Sequence, residues 1–267
     1  MASKPQILLT NDDGILSPGL WAAAQALSRL GFVTVAAPRE QSSGAGRSMP
    51  TASDGIIQRQ TVEVGGQPWQ VYAVGGTPAQ TVQHALLEIM PAKPDLLVAG
   101  INYGENVSTG ITASGTVGAA LEGATLGIPS MAVSVETRKD QHFSYSTDVD
   151  FSTAAHFTAL FAGLLLKHGL PAGVDLLKVD VPSDATPAVR WEWTRLSRQH
   201  YYRPTRPERT SWDIPGSVGY ELVLDLEGEA QDTDIYCLLK KRLVSVTPLS
   251  LDMTAALPAA DRERFYR

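Results

Sequence analysis

Through its first 180 or so residues this chain repeats one pattern: a short run of consecutive apolar residues, then a segment of helical periodicity. A strand that is apolar at successive positions has both faces covered, which is the condition of a parallel sheet lying between helix layers. Ile7–Thr10, Val33–Ala37, Leu96–Gly100, Met131–Val135 and Leu176–Val181 read as such strands. Helices are expected at Pro18–Leu30, from a Thr77 cap with Pro78 at the first position to about Met90, at Ser114–Leu126 and at Phe151–His168. Two more strands, Ile57–Val64 and Trp69–Val74, flank the turn Gly65-Gly66. The expected architecture is α/β, a parallel-sheet core with helices on both faces.

The character changes after Pro182. Alternating strands near Val189–Trp193 and Gly219–Leu226 surround a segment rich in Pro and Arg, which predicts a protruding antiparallel arm. A short helix, the strand Leu243–Pro248 and a helical tail follow. We therefore expect a parallel-sheet core over residues 1–185 and an arm with its tail over residues 186–267, within one domain. A net charge of −6 lacks the basic face that binds a nucleic acid polymer or a membrane surface. The single Cys237 excludes an internal disulfide, and the chain has neither a signal peptide nor a membrane span, so a cytoplasmic protein is expected.

Four loops carry the chemistry. Strand one ends directly on Asn11-Asp12-Asp13-Gly14. Two charges about 4 Å apart repel by roughly 4 kcal/mol at an effective dielectric near 20. A hard cation offsets that repulsion, although a plain turn with an Asx cap also fits this tetrapeptide. The small-residue loop Gln41–Ser48 follows strand two and lets backbone amides approach an anion. Asn102, in Gly100–Asn106, offers a neutral oxygen to a metal. Ser114-Gly115-Thr116 opens a helix and has the free amides and hydroxyls of an anion site, or of simple capping. There is no Gly-rich loop ending in Lys-Ser or Lys-Thr and no dinucleotide-binding Gly pattern after strand one.

Six segments in order, Ile7–Gly14, Ala37–Gly44, Gly75–Ala79, Gly100–Asn106, Ser114–Gly123 and Val244–Leu249, resemble the SurE family, the survival-protein-E nucleotidases. The resemblance implies a Rossmann-like core and one divalent ion, Mg²⁺ or Mn²⁺, per subunit. It implies hydrolysis of nucleoside 5′- and 3′-monophosphates, and of polyphosphate in some members. The implied metal ligands are Asp12, Asp13, Ser43 and Asn102. Asp12 and Asp13 are the catalytic pair, and Asn102, Asn106, Ser114, Gly115 and Thr116 bind phosphate. The resemblance also implies that arm and tail exchange between subunits of a homodimer or homotetramer.

On this reading a water or one of the two aspartates attacks phosphorus. His142 and His200, in loops, are candidates for a leaving-group acid, and Arg47 is a candidate contact to phosphate or nucleotide. His84, His156 and His168 fall on helices, and Trp191 and Trp193 share one strand face. The rival reading is a metal-dependent nucleotide or phosphate sensor without turnover. It would use the same ligands.

Overall fold

The computed structural model describes residues 4–142, 145, 146, 148–223, 225–258, 261, 262 and 264. The core strands are β1 (Gln6–Thr10), β2 (Phe32–Pro38), β3 (Ile57–Val64), β4 (Gln67–Val74), β5 (Leu96–Tyr103), β6 (Ser130–Val135) and β7 (Leu176–Val181). Later strands are β8 (Trp191–Trp193), β9 (Tyr202–Thr205), β10 (Gly219–Leu222) and β11 (Val244–Leu249). The helices are α1 (Pro18–Leu27), α2 (Pro78–His84), α3 (Gly115–Thr125) and α4 (Ser152–His168).

Among the described residues nine strands form one sheet in the order β3-β4-β2-β1-β5-β6-β7-β11-β8. From β4 to β7 the pairing is parallel, while β3 and β11 run antiparallel to their neighbours β4 and β7. Successive residues of β1 face opposite layers, as strand geometry requires. Ile7 and Leu9 join the core under α1 and α4, with Leu20, Leu27, Phe157 and Phe161. Leu8 faces α2 and α3, with Val82, Val117 and Ala120. This is the Rossmann-like core with helices on both faces. The chain leaves β1 for β2 on one side and later places β5 on the other, so strand order reverses at β1. The crevice beyond the carboxyl ends of β1 and β5 is therefore the place where an open α/β sheet binds ligands.

Several expected boundaries shift, each for a local reason. The first helix stops at Leu27, with Ser28 capping it through Ala24, and residues 28–30 turn toward β2. The helix at Thr77 begins with a reciprocal capping box, the Gln80 amide N–H donating to Thr77 Oγ1 and the Thr77 amide N–H donating to Gln80 Oε1. It widens into a π-helical turn over Ala85–Ile89. The strand expected to end at Gly100 runs on to Tyr103 through a register shift against β6 between Ala99 and Asn102. Gly100 sits at φ +133°, and a Cβ there would lie 2.3 Å from the Val133 carbonyl oxygen. Only glycine passes that point.

The arm is smaller than the sequence suggests. Trp191–Trp193 is not part of it: β8 pairs in parallel with β11 and closes the edge of the main sheet. Trp191 packs edge-on against Phe161 of α4, with ring centroids 5.3 Å apart. Among the described residues only β9 and β10 form a separate antiparallel pair. The strand expected from Gly219 to Leu226 ends at Leu222, and the short helix expected after 233 is a π-helical turn over Tyr236–Lys240. Residues 252–258 have no regular secondary structure, and most of the expected helical tail lies outside the described residues.

Candidate active site

Asp12 and Asp13 follow β1 directly, and both are buried, at 4% and 1% exposure. Asn11 makes the turn that holds them: its side chain accepts from the Gly14 amide at 3.1 Å and donates to the Gly14 carbonyl at 3.0 Å. The turn reading therefore holds, and it uses Asn11 and Gly14 while leaving both carboxylates free of the turn. Thr116 Oγ1 donates to Asp12 Oδ1, and the Gly115 and Thr116 amides at the start of α3 face the same carboxylate. Gly115 is required by this packing, because a Cβ there would lie 2.7 Å from Asp12 Cβ. Asp13 accepts from the Tyr103 amide at 3.2 Å and from Gln41 Nε2 at 3.3 Å.

Burial raises the pKa of Asp12, partly offset by Thr116 and the amides of α3. Asp13 is raised further, by burial and then by the charge of Asp12. Among the described residues, no Lys, Arg or His nitrogen forms an ion pair with either carboxylate. Two adjacent buried acids held only by neutral donors are a poor arrangement without a cation.

Neutral oxygens complete the donor set. Asn102 donates its amide N–H₂ to the carbonyls of Gly104, at 2.7 Å, and Tyr103, at 3.3 Å. Its Oδ1 therefore points away from those carbonyls. Ser43 Oγ accepts from Gln41 Nε2 at 3.0 Å, so one glutamine ties Ser43 to Asp13. Ser42, its neighbour, instead donates its amide to the Asp12 carbonyl at 2.7 Å. No group of three or more His, Cys, Asp or Glu forms a metal cluster among the described residues. The candidate set is two carboxylates with an amide and a hydroxyl, the hard oxygen donors that Mg²⁺ and Mn²⁺ take.

Asp12, Ser43, Asn102, Asn106 and Ser114 line one cavity of about 600 Å³, and Asp13, Gly115 and Thr116 are not among its lining residues. Asn106 is fixed twice, its amide N–H donating to Asp180 and its Nδ2 to Ser134, both at 2.8 Å. Ser114 caps α3 by accepting from the Val117 amide at 3.1 Å, which leaves its hydroxyl proton available. His142 and His200 also reach this cavity, whereas His84 pairs with Glu88 at 2.6 Å. Arg47 does not: its Nε binds Glu122 at 2.7 Å and ties the loop to α3. A larger cavity of about 830 Å³ lies between Glu136, residues 225–229 and Arg242, and it holds none of the candidate residues.

Sequence reasoning missed the residues that the arm brings to this cavity, Tyr202, Val218 and Tyr220, and missed Glu105 as well. No local signal marks the three arm residues, which meet the site across long sequence separations, whereas Glu105 stands beside Asn106 in the loop already singled out. Glu105 is buried, with Oε1 accepting from the Tyr201 hydroxyl at 2.6 Å and Oε2 unpartnered. Burial raises its pKa from 4.5 to about 7. The folded protein thus binds a proton more tightly there than the unfolded chain, so this group removes stability as pH rises through that interval. Glu105→Gln keeps an acceptor for Tyr201 and removes the charge. At mildly alkaline pH it is expected to raise the unfolding free energy by about 3 kcal/mol, at about 1.4 kcal/mol per pKa unit, with little gain in mild acid. Urea unfolding of both proteins across this range checks the difference, and a gain independent of pH contradicts it.

The chain is similar along nearly its whole length to known proteins. The family Survival protein SurE matches residues 7–203. The 5′-nucleotidase SurE of Thermococcus gammatolerans is 47% identical over 251 residues, covering 94% of this chain and 91% of that protein. The 5′-nucleotidase SurE of Methanosarcina mazei is 40% identical over 267 residues, covering 98% of this chain and 97% of that protein. The crystal structure of SurE from Aquifex aeolicus superposes with a TM-score of 0.77 at 29% identity, covering 98% of this chain and all of that one. With its fold and its full-length relatives in agreement, the chain belongs to the SurE family.

Proposed function

We propose that the chain is a divalent-metal-dependent phosphomonoesterase that releases phosphate from nucleoside 5′-monophosphates. The observation that carries this reading is the buried pair Asp12 and Asp13, without a cationic side chain, beside neutral oxygens on a cavity wall. Asp12, Asp13, Ser43 and Asn102 would hold the ion, whose chemistry is neutralisation of charge at a phosphoryl oxygen. The names of the full-length relatives support the substrate class.

The protein's own groups do the rest. Asn106 and the Ser114 hydroxyl face the cavity as hydrogen-bond donors to phosphate oxygens, held rigid by Asp180, Ser134 and the α3 cap. Asp12, raised in pKa and fixed by Thr116, orients the attacking water and receives its proton. Action on 3′-monophosphates and polyphosphate uses the same phosphate-facing donors. Self-association through the hairpin and tail completes the proposed assembly.

Phosphate release from AMP and GMP, measured with Mn²⁺ or Mg²⁺ and again with chelator, tests the reading. We expect turnover that chelator abolishes. Binding of nucleotide without turnover would instead make the protein a sensor. Asn102→Ala is expected to raise the Mn²⁺ concentration needed for half-maximal activity by about tenfold or more, with the thermal midpoint retained, since it removes a single neutral ligand. An unchanged metal requirement would remove Asn102 from the ligand set.

A further inference from the structure

The cavity holding the phosphate-facing residues is far larger than a phosphate group. At about 600 Å³ it falls among sites that enclose a whole small molecule, about 300–1,000 Å³. Its phosphate-facing residues come from the end of β5, the loop after it and the cap of α3. Another part of its wall is the β9–β10 hairpin, which contributes Tyr202, Val218 and Tyr220. Val218 immediately precedes β10 and Tyr220 lies within it, and both side chains line the cavity. Pairing of Leu222 with Tyr202, and of Tyr220 with Pro204, puts Tyr202 on the same face as Tyr220. The two tyrosine rings meet edge to face, with centroids 5.6 Å apart. Val218 is 68% exposed, an apolar side chain left open on the wall.

The tyrosines are held by their hydroxyls. Tyr220 Oη is hydrogen-bonded to His142 Nδ1 at 2.8 Å, and Tyr202 Oη donates to the Glu105 carbonyl. Lys139 Nζ lies 4.5 Å from the Tyr220 ring centroid and donates to the Tyr220 carbonyl. With their polar ends engaged, the rings and Val218 present aromatic and aliphatic surface. That surface suits a flat heterocycle.

We propose that the β9–β10 hairpin is the nucleoside-binding wall of the active site, with Tyr202, Tyr220 and Val218 receiving the base of the nucleotide whose phosphate lies at Asn102, Asn106 and Ser114. The proposal rests on the phosphomonoesterase reading. Stacking on an aromatic ring tolerates any base, so the wall distinguishes nucleotides from other phosphate esters and accepts purines and pyrimidines alike.

The test separates the two ends of the cavity by measuring, with Mn²⁺ present, calorimetric binding of adenosine and of inorganic phosphate to the full chain. Tyr220→Ala is expected to weaken adenosine about tenfold, which is about 1.4 kcal/mol, and to change phosphate by less than about twofold. Tyr220→Phe keeps the ring and is expected to bind adenosine within about twofold of the unaltered protein. Val218→Asp, at an exposed position that the fold tolerates, is expected to weaken adenosine as Tyr220→Ala does. Adenosine binding unchanged in both Tyr220→Ala and Val218→Asp overturns the proposal, as does a parallel loss of adenosine and phosphate, or no adenosine binding by the unaltered protein. Absence of phosphate release from AMP would count against the phosphomonoesterase reading and leave the binding comparison to decide the wall.

Discussion

Asp12→Asn is expected to lower kcat/KM for nucleoside monophosphates by more than about a hundredfold, while making the metal-free protein more stable. Loss of one charge-stabilising group from a water-excluded site costs about 10²–10³ in rate, and a carboxylate facing a divalent ion belongs at the upper end. The stability gain has a separate origin. Asp12 and Asp13 are neighbours, buried, and balanced only by neutral donors. Both carboxyl pKa values are raised in the fold, by burial and, for Asp13, by Asp12 as well. A raised folded pKa means that stability is fully present below the ordinary carboxylate range and is lost as pH rises through the folded value. The metal-free protein should therefore melt at lower temperature at pH 8 than at pH 5, a trend that Asp12→Asn reduces and that Mn²⁺ opposes in the unaltered protein. Thermal melts with chelator and with Mn²⁺ at both pH values read all three effects. A variant that loses stability and activity together would make Asp12 a structural residue.

Lys178→Met is expected to destabilise the protein by about 3–5 kcal/mol, the usual consequence of leaving buried charge uncompensated. Lys178 is fully buried, and its ammonium pairs with Asp180 and, at 3.3 Å, with Asp234. Burial lowers its pKa, but the two carboxylates more than offset this and hold it protonated. The carboxylates are themselves committed. Asp180 accepts from the Asn106 amide at 2.8 Å, and Asp234 accepts from the amides of Ser108 and Ser197 at 2.9 Å each. One lysine thus braces β7, the loop that carries Asn106 and the lead-in to the hairpin. Urea unfolding measures the loss. Adding Asp180→Asn and Asp234→Asn to Lys178→Met is expected to recover part of it, because the residual charge is gone. Strict additivity of the three substitutions would contradict a coupled network.

The parts of this protein legible in its sequence are those encoded locally. Continuous apolar runs placed β1, β5, β6 and β7, and Thr77 with Pro78 marked the start of α2. Asp12 and Asp13 announce themselves because adjacency alone makes them costly. Ser43 could be separated from Ser42 only by spacing within the family pattern, and Ser43 is the one that lines the cavity. What stayed hidden depends on long-range pairing. Trp191 joins the main sheet through β11, some fifty residues later in the chain, so its neighbours do not disclose its place. The extension of β5 past Gly100 depends on a close approach to Val133 that periodicity does not record. Tyr201 reaches Glu105, and Tyr220 reaches His142, across comparable separations. The arm therefore reads as an assembly device in the sequence and as part of the cavity wall in the folded chain.

The account stands on a divalent ion held between Asp12 and Asp13. Calorimetric titration of the chelator-stripped protein with MnCl₂ addresses it directly. The unaltered chain should bind one ion per subunit, and the Asp12→Asn, Asp13→Asn double variant, folded by circular dichroism, should bind none at that site. Binding of equal stoichiometry and affinity in the double variant would contradict the account.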